Sequence, residues 1–436
     1  MIICDVLLTG GSYVTMDAGF RILEDHDLAV KDGKILDIFP TGSKDYHAAE
    51  EIDATNCLIT PGFINAHTHM PMTYFRGLAD DLPLEKWLQE YIWPLEARMI
   101  STDFVYDASL HAATEMLMHG ITLANDMYFH MGQIAEASIK AGMRVIVSEA
   151  IIGHNFKGAL TEIGSKVQTF KDQYANQALV DCCLAPHAIY TCSREILEAC
   201  VKAASRHDLL LHMHLSETRQ ERDACLKDNG MLPMMYLSKL GFTERRCVFA
   251  HGVWLSEEEL DLMAGTSCSI AVCTDSNLKL SSGILPLKAI RERVIKAVMA
   301  TDGVASNNNL DILQELSTTA KLHKAVAEDP EFLPAREAFA MLTIDAARAL
   351  GKDDQLGSLE VGKAADLCII DMGCLQSHPL YNPYSHLVYA VSSSQIRDVL
   401  VAGRIVVQNH QPLFIDPAAL IDKAKYWKNK ILSEIR

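Results

Sequence analysis

The feature that most constrains this chain is a change of rhythm along it. From roughly residue 60 to 350, short apolar runs alternate with amphipathic stretches, whereas both ends read as β. The apolar runs include Met143-Arg144-Val145-Ile146-Val147, Leu209-Leu210-Leu211-His212-Met213-His214, Cys247-Val248-Phe249-Ala250-His251 and Ala297-Val298-Met299-Ala300-Thr301-Asp302. Between them lie helical patterns such as Ser193–Arg206 and Glu257–Ala264, the latter preceded by Ser256 as an N-cap. Strand–helix alternation sustained this long predicts an α/β fold, a (β/α)8 TIM-like barrel rather than an open sheet. In that architecture the working side chains sit at the C-terminal ends of strands, where His214, His251 and Asp302 fall.

The ends predict a second, smaller unit. Near the N-terminus, Val6–Thr9 and Tyr13–Met16 flank Gly10-Gly11, and Leu28–Val30 and Lys34–Ile38 flank Lys31-Asp32-Gly33, with Asp-Gly at the turn. This reads as antiparallel β. After the turn-rich Gly357–Lys363 come a buried strand, Asp366–Asp371, and a hairpin, Val399–Val401 and Arg404–Val407 around Ala402-Gly403. The expected organisation is a small β-sandwich domain formed from both chain termini. Residues 1–59 supply its first part, 60–355 form the barrel, and 356–436 supply the second part with a terminal helix.

The 12 cysteines include no Cys-x-x-Cys, so buried unpaired thiols and a reducing cytoplasm are expected. Met1-Ile2-Ile3-Cys4-Asp5 does not read as a signal peptide. No apolar run approaches the roughly 18–20 residues of a membrane span. The formal charge is −17, which argues against nucleic acid and anionic membranes as partners and leaves a small molecule. Exposed apolar residues near Trp87–Trp93 are a candidate lid or a homo-oligomer contact.

Within this acidic chain 17 histidines stand out, and some have ligand spacing. In Asn65-Ala66-His67-Thr68-His69 the two imidazoles are two residues apart, so a strand would aim both at one point. His214 ends a strong apolar strand, and Glu217 follows where the chain leaves it, placing a carboxylate beside a metal in the position of a proton shuttle. His212, two residues back, reads as packing deeper in the barrel. His251 is followed by Gly252, and Asp302 by Gly303, both at strand ends. The order His-x-His, His-x-x-Glu, His, Asp over four strand ends points to a metal centre.

That order resembles the amidohydrolase superfamily, in particular the branch of 5′-methylthioadenosine/S-adenosylhomocysteine deaminases and triazine chlorohydrolases. The similarity runs through Pro61–His69, Gly77–Leu84 with Trp87-Leu88, Ile92-Trp93-Pro94-Leu95-Glu96, Asp126–Phe129, Ala185-Pro186-His187, Ser276–Leu280, Thr301–Asn308 and Gly357–Leu367. The resemblance implies His67, His69, His214 and Asp302 as metal ligands, His251 at the water or developing oxyanion, and Glu217 as acid/base. It implies Glu96 on ribose hydroxyls, with Trp87 and His187 lining a nucleoside pocket. The modified lysine of two-metal members has no counterpart in Cys182–His187, so one divalent ion is expected. Zinc suits the donor set best, and Fe2+ or Mn2+ would fit it.

The implied activity is hydrolytic deamination of an adenine nucleoside. The alternative is an amino- or chlorohydrolase of a triazine, pterin or other amino-heterocycle. A non-enzymatic scaffold is a third reading, disfavoured because every ligand position is filled. The chain departs from the pattern at Val272-Cys273-Thr274-Asp275, at Asn309, and at Ser148-Glu149-Ala150, where relatives that take S-adenosylhomocysteine carry arginines. A glutamate there is expected to repel that substrate's carboxylate, unless Lys157 in the 153–165 stretch offsets it.

Overall fold

The computed structural model describes residues 2–153 and 162–435. The middle of the chain holds eight parallel strand positions. They are β1 (Phe63–Thr68), β2 (Ile121–Tyr128), β3 (Arg144–Ile151), β4 (Val180–Cys182, continued by Ala185–Pro186), β5 (Leu211–Leu215), β6 (Cys247–His251), β7 (Cys268–Val272) and β8 (Lys296–Met299). β1 to β4 form one ladder and β5 to β8 another. Hydrogen bonds link the two at both margins. His212 N donates to Leu184 O at 2.8 Å between β4 and β5, and Asp302 N donates to His67 O at 3.0 Å just past β8.

Every residue of β5, β6 and β7 is buried, as expected of parallel strands covered on both faces. The intervening helices start where the sequence signals them. Ser193 caps Arg194–His207 through the Ile196 amide, and Ser256 forms a capping box with Glu259 ahead of Glu257–Met263.

The chain ends build two further sheets, one of four strands and one of seven. Val6, Leu8, Leu28 and Val30 of the first share an apolar cluster with Ile59, Leu367, Ile369 and Leu400 of the second. Cys57–Pro61 pairs antiparallel with Leu367–Asp371, so N- and C-terminal segments lie side by side. The two expected hairpins form, His26–Lys31 with Lys34–Pro40 and Ile396–Val401 with Arg404–Gln408. Their tips, Asp32-Gly33 and Ala402-Gly403, have left-handed backbone, as a two-residue hairpin turn requires. These tips meet: a Cβ on Gly33 would lie 2.8 Å from Ala402 O.

One expectation fails here. The strands around Gly10-Gly11 are not an antiparallel pair. Ile2–Thr9 pairs parallel with Tyr46–Asp53, and Ser12–Val14 crosses to the other sheet and pairs parallel with Cys57–Pro61. Gly11 permits the crossing, because its φ is 97° and a Cβ would sit 2.7 Å from Ala54 O.

All twelve cysteines are unpaired; eleven are buried and Cys374 is half-buried. Among the described residues, no helix is long and apolar enough to cross a membrane.

Candidate active site

Four imidazoles and one carboxylate converge at the C-terminal ends of β1, β5, β6 and β8. His67 Nε2 lies 3.3 Å and His69 Nε2 3.4 Å from Asp302 Oδ1. His214 Nε2 lies 3.3 Å from His69 Nε2. The ligand atoms of His67, His69 and Asp302, and those of His67, His214 and His251, each fall within 4.8 Å of one another.

Each ring is aimed from behind. His69 Nδ1 meets Met127 O at 2.5 Å, and His214 Nδ1 meets His187 O at 2.9 Å. A carbonyl only accepts, so both Nδ1 atoms carry protons and both Nε2 atoms present lone pairs. Two lone pairs facing each other at 3.3 Å repel unless a cation lies between them. His67 and His251 add buried Nε2 atoms without hydrogen-bond partners. Burial pulls the His67 pKa down to about 4, so its imidazole is neutral and ready to ligate. This arrangement is a His/Asp metal-binding site by the chemistry of its donors, which His67, His69, His214, His251 and Asp302 supply.

The region around it is tightly braced. Asp302 Oδ2 accepts from Ser276 Oγ at 2.6 Å and Ser306 Oγ at 2.9 Å, and Asp302 Oδ1 accepts from Gly303 N at 2.7 Å. His251 Nδ1 bonds Asn277 Oδ1 at 2.9 Å. Asp302 and His251 hold φ of 61° and 75°, left-handed conformations that cost energy in non-glycine residues and cluster at functional sites. The Val272–Asp275 departure leaves this intact, since the helix Thr274–Lys279 still delivers Ser276 and Asn277 to their partners. Asn309 builds the neighbouring turn, accepting from Asp311 N at 2.8 Å.

Glu217 stands beside this cluster, its Oε2 3.6 Å from His251 Nε2 and its Oε1 accepting from Ser282 Oγ at 3.2 Å. Burial pushes the Glu217 carboxyl above the usual range; the His251 charge opposes that and Asp302 reinforces it. For His251 burial acts downward, but the Glu217 and Asp302 charges outweigh it and the net shift is upward. The upward shift moves this carboxyl toward the range in which a side chain can both give and take a proton, as general acid–base chemistry needs.

Trp87, Glu96, His187 and Glu217 line one cavity with His69, His214, His251 and Asp302. Tyr128 OH donates to Glu96 Oε1 at 2.5 Å. Burial raises the Glu96 pKa to about 7 against that hydrogen bond. His187 has a double part: its carbonyl orients His214, and its ring, kept neutral by burial with a pKa of about 3, faces the cavity. Trp87 is buried against the cavity, Trp93 lines it half-buried, and Tyr91 between them is exposed.

Two readings change. His212 does more than pack, because its Nε2 lies 2.8 Å from His67 Nδ1 and so fixes that ring. Its place two residues before His214 on the same strand face was the available signal. Glu149 does not face the cavity; its carboxylate accepts from His130 N and Met131 N and caps the helix Met131–Ala141. Ala150 and Ile152 line the cavity instead, as period-two alternation dictates. Lys157 lies outside the described residues.

An α/β fold of TIM-barrel type carrying a His/Asp metal site defines a class of hydrolases. The chain belongs to the amidohydrolase family, whose model matches residues 58–406. It is 42% identical over 425 residues (96% of this chain, 97% of the relative) to a 5-methylthioadenosine/S-adenosylhomocysteine deaminase of Thermodesulfovibrio yellowstonii. It is 38% identical over 406 residues (93% of each) to a 5'-deoxyadenosine deaminase of Methanothermobacter thermautotrophicus. An adenosine deaminase from Xanthomonas campestris, solved with bound zinc, superposes with a TM-score of 0.95 at 36% identity, covering 99% of both chains. The chain is accordingly an enzyme of the hydrolytic deaminase kind.

Proposed function

We propose that this enzyme deaminates an adenine nucleoside, converting 5′-methylthioadenosine, 5′-deoxyadenosine or adenosine to its inosine analogue and ammonia. The observation that carries this reading is one cavity holding two glutamates in different surroundings. Glu217 lies against the metal site, and Glu96 is fixed on the wall by Tyr128, suited to accept from vicinal ribose hydroxyls. The names of the relatives support the same substrate class.

His67, His69, His214 and Asp302 would hold one divalent cation, and the zinc of the solved relative favours zinc. When bound, it supplies a Lewis acid that brings the pKa of water toward ~7. Asp302 accepts the proton of the attacking water, and His251 orients that water by its Nε2. Glu217 protonates the ring nitrogen beside the amino-bearing carbon, so attack there does not build charge on the ring. A proton returned by Glu217 or Asp302 to the amino group lets ammonia leave. Trp87 and His187 flank the base, and Glu96 holds the ribose.

No lysine or arginine is among the described residues lining the cavity to pair with the carboxylate of S-adenosylhomocysteine, which favours the nucleosides without one as substrates. We further read the eight central strands as a closed (β/α)8 barrel over residues 60–355. The terminal sheets, from 1–59 and 356–436, form a sandwich, as the shared apolar cluster supports. Amino- or chlorohydrolysis of a triazine or pterin is the second reading, and Glu96 counts against it, because a bare ring has no ribose to hold. The test is ammonia release by zinc-loaded protein across adenine nucleosides, guanine, pterins and triazines. Turnover confined to adenine nucleosides is the expected result, and no turnover of any of them overturns the proposal.

A further inference from the structure

Glu221 has no part in the chemistry above, yet its carboxylate is committed to the chain segment that carries Glu217. It is buried on the first turn of the helix Arg219–Asn229, whose N-cap Thr218 accepts from the Glu221 amide. Glu221 Oε1 accepts from Ser216 N and Oε2 from Glu217 N, both at 2.8 Å. One carboxylate thus holds two consecutive amides immediately after β5.

Those amides belong to a bend that needs holding. Ser216 has φ of 50°, a left-handed conformation a serine adopts at a cost. This kink turns the chain off β5 so that Glu217 faces His251. The same bend is tied to the loop after β6: Gly252 N donates to Leu215 O at 2.8 Å and Trp254 N to Ser216 O at 2.9 Å. Trp254 also donates its indole N–H to Ser282 O at 2.8 Å, and Ser282 Oγ in turn donates to Glu217 Oε1 at 3.2 Å. Glu217 is therefore gripped by backbone on one side and by side chain on the other. The amides of Ser216 and Glu217 are both held by Glu221.

We infer that Glu221 is a positioning residue for the acid/base Glu217: its two-pronged carboxylate imposes the Ser216 kink that aims Glu217 into the cavity. This rests on the deaminase reading only for its kinetic readout. A carboxylate suits the task because both its oxygens only accept. In Glu221→Gln the side chain keeps its length, but its NH2 would confront one of the two amide donors.

The test is Glu221→Gln, with Glu221→Asp as a second variant that keeps the charge but shortens the reach. For Glu221→Gln we expect kcat on an adenine nucleoside to fall about 10- to 100-fold, KM to change less than threefold, and zinc to stay at wild-type stoichiometry. A fall in kcat at nearly constant KM and full zinc content separates positioning from a role confined to stability, which would leave kcat of the folded variant in place. Glu221→Asp, with its shorter reach, should lose rate in the same way. A crystal structure of the folded Gln variant should show Ser216 out of the left-handed region. A Gln variant with kcat within twofold of wild type and Ser216 unmoved overturns the inference. If the wild-type protein turns over no adenine nucleoside, the functional reading fails, and the Ser216 conformation in the variant still decides the inference.

Discussion

His67 and His212 meet ring to ring, the Nδ1 of one 2.8 Å from the Nε2 of the other, both wholly buried. If His67 gives its Nε2 to a metal, its proton sits on Nδ1 and His212 must accept it. His212→Leu removes that acceptor and should weaken zinc affinity about 10- to 100-fold. His212→Gln can offer an oxygen near the same place and should recover most of it. Competition with a chromophoric chelator measures both variants, and equal affinities for Leu and wild type would refute the coupling.

Glu217→Gln keeps the Ser282 contact but cannot cycle a proton. A loss of about 10²- to 10⁴-fold in kcat is expected for removing a general acid/base, with bound zinc unchanged by elemental analysis. A fall in zinc content instead would make Glu217 a ligand.

Glu96 has a pKa raised to about 7 by burial and is bonded by Tyr128. Ribose hydroxyls donate, so the ionised form binds them better. KM for a nucleoside should fall as pH rises through 7. In Tyr128→Phe the stabilising bond to the carboxylate is gone, the Glu96 pKa rises further, and the fall in KM moves to higher pH. Glu96→Ala should cripple nucleoside turnover and flatten this dependence. A wild-type KM constant from pH 6 to 8 would contradict the assignment.

Lone pairs converging at 3.3 Å make the metal-free protein electrostatically uncomfortable. Zinc at a free concentration 100 times its Kd should stabilise the fold by about 2.7 kcal/mol, from binding to the native state alone. Chelator should lower the thermal midpoint and zinc restore it. An unchanged midpoint would mean that the cluster does not bind the ion.

With no described cation lining the cavity, kcat/KM for 5′-methylthioadenosine should exceed that for S-adenosylhomocysteine. Parallel assays following the loss of adenine absorbance decide it; the reverse order sinks the specificity claim.

The side chains that the structure brings together at the site were legible because metal and proton-transfer chemistry restricts residue type and position. His67-x-His69, His214, Glu217, His251 and Asp302 each announce themselves at the end of an apolar run. Their supports were not legible, because a bond such as Asn277 to His251 joins residues that only the tertiary fold brings together. Nor does a one-letter code display the left-handed backbone of Ser216, His251 and Asp302, which is imposed by neighbours. Glu149 was misread for a simpler reason: its strand parity sends it away from the cavity while Ala150 faces in. In the terminal sheets, turn residues marked the two hairpins. The parallel pairing of Ile2–Thr9 with Tyr46–Asp53 has no local signature, because it depends on a crossing elsewhere.

The ladder between Cys57–Pro61 and Leu367–Asp371 has a consequence for biosynthesis. Cys57–Pro61 runs directly into the strand bearing His67, yet its neighbour is synthesised only after all eight central strands. While those strands are made that apolar strand waits with one edge unsatisfied, a template for unwanted pairing. A nascent chain halted before Leu367 would leave the segment that leads into His67 and His69 with that edge open, prone to aggregate.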